Sequence, residues 1–307
     1  MEGPSLRLAA EQLQPFVGRR IATVAGNSKI GIDRLSGRQV KDIFAWGKHL
    51  VFQFDEFALR VHFMLWGTFA ATVEGASVTG DYRRAGPPRL VLNFPNGEIT
   101  MWAASVKFVD EADAKASYDF TADIMAAEWN PRAALHKARA FPRAQIADVL
   151  LDQAIFAGVG NIIKNEVLFR TRTNPFASVK SIPDRKLRNM VADARTFSFR
   201  FLELRKIFAL RKNLEVYRRS VCPRCGGKIF RRVHGQRARR SFFCAKCQQV
   251  PPRYLSAAAE SRRITRRPAS AVGARARRAS AANRPSAASK APGRRAAGRR
   301  SGTRGSN

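Results

Sequence analysis

Cys222-x-x-Cys225 and Cys244-x-x-Cys247 are the only cysteines of the chain, with eighteen residues between the two pairs. Each C-x-x-C brings two thiolates to one metal from a tight turn, so the spacing predicts a single tetrahedral four-cysteine zinc site. Such a donor set leaves no open coordination position, which makes the expected zinc structural, one per chain. The intervening residues are long enough for a β-hairpin and carry Lys228, Arg231, Arg232, Arg237, Arg239 and Arg240. A zinc-stapled hairpin studded with cations suits nucleic acid. Two other readings of the same residues stand beside it: a zinc ribbon that serves the fold alone, and a pair of disulfides. Disulfides are disfavoured, because nothing at the amino terminus resembles a secretory signal and intracellular thiols are kept reduced.

The charge points the same way. The formal net charge is +33, of which residues 261–307 supply 14 Lys or Arg and no Asp or Glu, leaving +19 on residues 1–260. The segment 261–307 is Ala, Arg, Ser, Gly and Pro with five arginine pairs, from Arg262-Arg263 to Arg299-Arg300. It has too little apolar surface to offset its chain entropy and reads as a disordered basic tail. Such a tail is either a solvated appendage or a sequence-independent phosphate binder whose affinity falls steeply with salt. A body of residues 1–260 that basic expects a polyanion. No apolar run approaches the roughly 18–20 residues that span a bilayer. The expectation is a soluble, cytoplasmic, nucleoid-associated monomer.

The elements that must position these groups fall into two kinds. Residues 5–14 carry apolar positions at helical spacing before Pro15, and read as one short helix. Eight strands are expected at 21–24, 40–44, 50–54, 59–63, 69–73, 90–94, 99–102 and 106–109, with Asn96-Gly97 the clearest turn. Short strands at this spacing suggest a β-sandwich. After Asp110 the pattern turns helical, with helices expected at 143–152, 161–170, 184–194 and 197–211. Between the first two lies Gly158-Val159-Gly160-Asn161, where glycines permit a sharp reversal and Asn161 opens a helix whose N–H groups suit a phosphate.

Four motifs in order carry a resemblance. Glu2-Gly3-Pro4, Trp46-Gly47-Lys48, Gly158-Val159-Gly160-Asn161 with Glu166, and a four-cysteine finger containing Arg239-Arg240-Ser241-Phe242-Phe243-Cys244 resemble the Fpg/Nei family of DNA glycosylases (formamidopyrimidine-DNA glycosylase and endonuclease VIII). The likeness covers about residues 1–250. It implies an α+β multidomain fold: an N-terminal β-sandwich catalytic domain with a short N-terminal helix (1–115), a helix-two-turn-helix domain (125–215), a zinc-finger β-hairpin (216–250) and the disordered tail (257–307). It also implies a base-excision-repair enzyme that everts a damaged base from double-stranded DNA. The N-terminal amine then forms a Schiff base at the sugar C1′, and the strand is cut by β,δ-elimination. An α-amine suits that role on its own chemistry. With a reference pKa of about 7.7–8.0 against about 10.4 for lysine, roughly one in ten is neutral at pH 7.

Residue by residue, the resemblance makes Met1, Glu2 and Lys48 catalytic, and Asn161 and Arg239 phosphate-binding, with Arg240 the alternative to Arg239 if the register slips by one. Met64, Leu65 and Trp66 become the apolar wedge that fills the vacated base stack. The plain reading of that triad is sandwich core. Glu166 is expected to support the helix-two-turn-helix motif rather than the chemistry. One departure stands out: the family begins Met-Pro-Glu, whereas this chain begins Met1-Glu2-Gly3-Pro4. Met1 then falls where the processed proline lies, with Glu2 in register, and a primary amine forms a Schiff base as a secondary one does. The alternative is a catalytically impaired damaged-DNA-binding protein of the same fold; a zinc-ribbon RNA-binding protein is a third class. Glu2-Gly3-Pro4 matches the Nei opening, and residues 199–222 lack the Gly- and Thr-rich loop of the purine branch. Oxidised pyrimidines are therefore the expected lesions.

Overall fold

The computed structural model describes residues 1–79 and 86–255. The expected disordered tail lies outside these residues.

The amino-terminal half is a seven-stranded antiparallel sheet capped by a helix. Helix α1 (Gly3–Gln12) carries Pro4 in its first turn, which the fixed φ of proline suits. The strands are β1 (Thr23–Ala25), β2 (Asp42–Trp46), β3 (His49–Gln53), β4 (Ala58–Val73), β5 (Ala76–Ser77), β6 (Leu90–Phe94) and β7 (Gly97–Val109). Their order is β1-β6-β7-β4-β3-β2, with β5 on the end of β4. The strands expected at 59–63 and 69–73 are one strand, as are those at 99–102 and 106–109. A bulge joins each pair of halves: between Phe63↔Ala104 and Thr68↔Trp102, β4 carries residues 64–67 against the single Ala103 of β7. The alternation of apolar residues breaks at such a bulge, which is why the sequence reads there as a turn. The long strands wrap one core, in which Leu50, Phe52, Leu59 and Ile99 are fully buried.

The second half is helical, with α2 (Pro131–Arg139), α3 (Ile146–Val149), α4 (Asn161–Arg170) and α5 (Asp184–Lys206). Helix α4 has the expected bounds. The helix expected at 143–152 shrinks to the single turn of α3. Helix α2 went unread, although Asn130 caps it by accepting from Ala133 N at 3.0 Å and Pro131 opens it. The two helices expected at 184–194 and 197–211 are one, since neither Gly nor Pro interrupts 184–206. Helix α5 packs on α4, and also on α1, which ties it to the sheet half. A hairpin of β8 (Ile229–His234) and β9 (Arg239–Cys244) follows, and a short helical turn at Pro252–Tyr254 comes after it. Among the described residues no helix is long and apolar enough to cross a membrane.

Candidate active site

The first residues of the chain are seated on the first turn of α4. Glu2 is 9% exposed, and its carboxylate accepts from Ile162 N at 2.7 Å and Ile163 N at 3.1 Å. A carboxylate there satisfies two orphan amides and complements the positive end of the helix. Gly3 N donates to Gly158 O at 2.8 Å, and a Cβ on Gly160 would lie 2.3 Å from the Glu2 side chain. The glycines of Gly158-Val159-Gly160 therefore make room for the terminus rather than merely turning the chain. Burial pulls the Met1 amine below its ordinary 8.0, Glu2 opposes the fall, and Lys48 and Arg205 add to it.

Lys48 sits in the two-residue turn between β2 and β3, where Trp46 pairs with His49 and Gly47 has φ +54°. Buried Asp123 fixes that turn by accepting from Gly47 N at 2.9 Å. His62 Nδ1 lies 3.1 Å from the Lys48 carbonyl. The Lys48 side chain is half-buried rather than held out on the surface. Burial lowers it to about 8; Glu2 opposes, while Arg237 and Arg239 push the same way as burial. Met1, Glu2, Lys48 and Arg239 thus share one electrostatic neighbourhood, drawn from both halves of the molecule.

Helix α4 carries the rest of the frame. The Asn161 carboxamide oxygen is buried with no hydrogen-bond partner among the described residues. Asn165 Oδ1 accepts from Phe242 N at 2.7 Å, holding β9 against the helix. Glu166 is fully buried and accepts from the amides of Glu215, Val216 and Tyr217 at 2.8, 3.0 and 2.9 Å, so its contacts are those of a brace for the chain entering the finger. On β9, Arg239 and Arg240 are both exposed.

Met64, Leu65 and Trp66 occupy the β4 bulge and are 54%, 73% and 64% exposed. They are not sandwich core. In the finger, the sulfurs of Cys222, Cys225, Cys244 and Cys247 all lie within 4.8 Å of one another, a set able to hold one metal ion. The Sγ–Sγ separations of 3.8 Å (Cys222–Cys247) and 3.5 Å (Cys225–Cys244) are far beyond a disulfide bond of about 2.05 Å. Sequence reasoning missed Asp123, Lys164, His234 and Asp148. Each is a lone polar residue whose partner is at least 76 residues away or on another element, and no local spacing marks it.

The Formamidopyrimidine-DNA glycosylase H2TH domain family matches residues 122–201. Endonuclease 8-like 3 of Homo sapiens is 27% identical over 259 residues, which cover 83% of this chain and 42% of that protein. The Xenopus laevis counterpart is 30% identical over 76% of this chain and 39% of its own length, so the chain spans about two fifths of these relatives. Probable endonuclease 8 2 of Streptomyces coelicolor is 26% identical and matched over 94% of its length. Among solved structures, the Lactococcus lactis formamidopyrimidine-DNA glycosylase non-covalently bound to DNA containing an AP site superposes with a TM-score of 0.69 at 21% identity. That likeness covers 81% of this chain and 100% of the other. Likeness in sequence and likeness in fold converge: the chain is similar to endonuclease 8-like proteins over most of its length, it carries a match to the Fpg H2TH domain, and it shares the fold of a formamidopyrimidine-DNA glycosylase.

Proposed function

We propose that this protein is a DNA glycosylase with abasic-site lyase activity, acting on oxidised bases, pyrimidines above all, in double-stranded DNA. The observation that carries the reading is the shared electrostatic neighbourhood of the Met1 amine, the Glu2 carboxylate and Lys48, with Glu2 seated on the first turn of α4 and the finger arginine Arg239 acting on Lys48. The amine attacks C1′, the bond from C1′ to the base breaks, and the base leaves with a proton. The C1′–O4′ bond then opens, with a proton passing to O4′, and an imine results; it draws electrons from C2′, so loss of a C2′ proton expels the 3′ phosphate, and loss of the C4′ proton then expels the 5′ phosphate. Lys48 and Arg239 are suited to the flanking phosphates, as are Arg240 and Asn161; Met64, Leu65 and Trp66 are suited to the emptied stack. Zinc is the metal we assign to the four cysteines. Its tetrahedron, with bonds of about 2.3 Å, needs sulfurs about 3.8 Å apart, close to the separations of 3.5 and 3.8 Å. Its role is to hold the finger.

The pH dependence follows from the two amines. Imine formation needs the Met1 amine neutral, and burial lowers its pKa below 8.0, so the rate rises with pH and levels off below that value. Lys48 serves phosphate as a cation, and its pKa of about 8 sets the falling limb. Single-turnover cleavage should be bell-shaped, and Lys48→Met should remove the alkaline limb.

Borohydride trapping with an abasic-site duplex, followed by intact-mass and peptide mapping, tests the reading. A covalent adduct on the amino-terminal peptide is the expected result. Tight abasic-DNA binding with no adduct would make this a damage-binding protein without chemistry. Preference for RNA over lesion duplex at fixed salt would overturn the substrate class.

A further inference from the structure

The strand that presents Arg239 and Arg240 is gripped along one edge by two consecutive residues of α4. Asn165 fills both positions a third strand would take, donating to Arg240 O at 3.3 Å and accepting from Phe242 N at 2.7 Å. Lys164 is only 1% exposed and donates to Arg240 O at 3.2 Å and to Ser241 Oγ at 3.0 Å, both neutral acceptors. Fully buried Ser241 lies 2.7 Å from His234 Nε2, and His234 Nδ1 lies 2.7 Å from Gln145 Oε1. The glutamine oxygen can only accept, so Nδ1 carries the proton and Nε2 accepts from the serine hydroxyl. Donation then runs one way, Lys164 to Ser241 to His234 to Gln145, joining α4 through both finger strands to the residue that caps α3. Burial lowers Lys164 to about 7; Asp148 and Glu2 oppose the fall and Arg239 adds to it. Burial also lowers His234 to about 3, with Lys164 and Arg232 pushing the same way.

An ammonium buried among neutral acceptors is a poor stabiliser, and apolar replacements at such sites are often neutral or better. Its value here is geometric. We infer that Lys164 is a positioning residue for Arg239 and Arg240: it fixes the seat of β9 on α4, the helix whose first turn holds Glu2. The finger arginines thereby stand at a set place relative to the amino-terminal site. The consequence for DNA rests on the function proposed above, whereas the seat itself does not.

The test uses the full-length, zinc-loaded protein. In hydrogen–deuterium exchange without DNA, Lys164→Met should speed the amides of 239–242 about tenfold and leave α1 and α5 unchanged. Unchanged exchange at 239–242 would overturn the inference. Binding to a duplex carrying a tetrahydrofuran abasic analogue then tests the consequence. Lys164→Met should weaken it about tenfold, while adding it to the Arg239→Ala, Arg240→Ala double variant should weaken binding no further than that double variant alone. Losses that multiply would show that Lys164 does not act through the arginines, and would overturn it. Should Lys164→Met fail to fold, Ser241→Ala removes one of the two acceptors of Lys164 and should speed the same amides by a smaller factor; unchanged exchange there would overturn the inference. If the wild-type protein does not bind the duplex, the proposed function falls, and the exchange result still decides the seat.

Discussion

The sheet half and the finger solve the same problem by opposite means. In the sheet half, Leu50, Phe52, Leu59 and Ile99 are all fully buried in one apolar core, and α1 covers it. The finger has only small clusters around Phe242 and Phe243. It compensates with polar grips: Gln248 accepts from Cys244 N at 3.0 Å and donates to Thr173 O at 2.8 Å, and Asp148 accepts from Gln236 N at 2.9 Å. A unit below about 40 residues cannot bury enough surface to hold itself, and a metal or borrowed contacts must do so. The sheet therefore offers the site a wall of its own shape. The position of the finger is lent to it by α3 and α4, and by the metal proposed for its four cysteines.

Breaking the metal set should show that contrast at its largest. Cys244→Ala should release the metal and unfold the finger, costing more than about 100-fold in abasic-duplex affinity, because structural zinc binding is folding free energy for such units. The sheet half should keep its exchange protection, and metal analysis with hydrogen exchange reads both. A finger that stays protected without metal would erase the comparison. Gly160→Ala probes the join between the halves. Its Cβ would fall 2.3 Å from Glu2, so the terminus must shift. A displacement of about 1 Å at a reacting group costs roughly 10²-fold, expected here in single-turnover rate with the melting temperature nearly kept. The smallest change is expected at the bulge. Leu65 is 73% exposed, so Leu65→Ala should alter stability by less than about 0.5 kcal/mol. Duplex binding should still weaken about tenfold, the size of one lost stacking contact. A stability loss with binding intact would return the triad to the core.

What could be read from the sequence was what is local. The cysteine quartet is legible because each pair is three residues apart, and the start of α4 because Gly158-Val159-Gly160-Asn161 permits a sharp reversal. The two long strands were not legible as such, since residues 64–67 break the alternation at the bulge. Nor were the grips of α4. Lys164 and Asn165 look like outward helix residues until β9, more than 70 residues later, closes over them. Glu2 and Glu166 were noticed through family motifs. That one carboxylate takes amides of α4 and the other takes amides leading into the finger is tertiary information with no trace in spacing.

The Glu2–Ile162 contact joins residues 160 positions apart. During synthesis at about 5–20 residues per second, the partner amides appear on the order of ten to thirty seconds after Glu2 itself. Through that interval α1 can already cover the sheet, but the Glu2 carboxylate lacks the amides it accepts from. Assembly of the site is a late event in the life of the chain, timed by the emergence of a helix rather than by the sheet that precedes it.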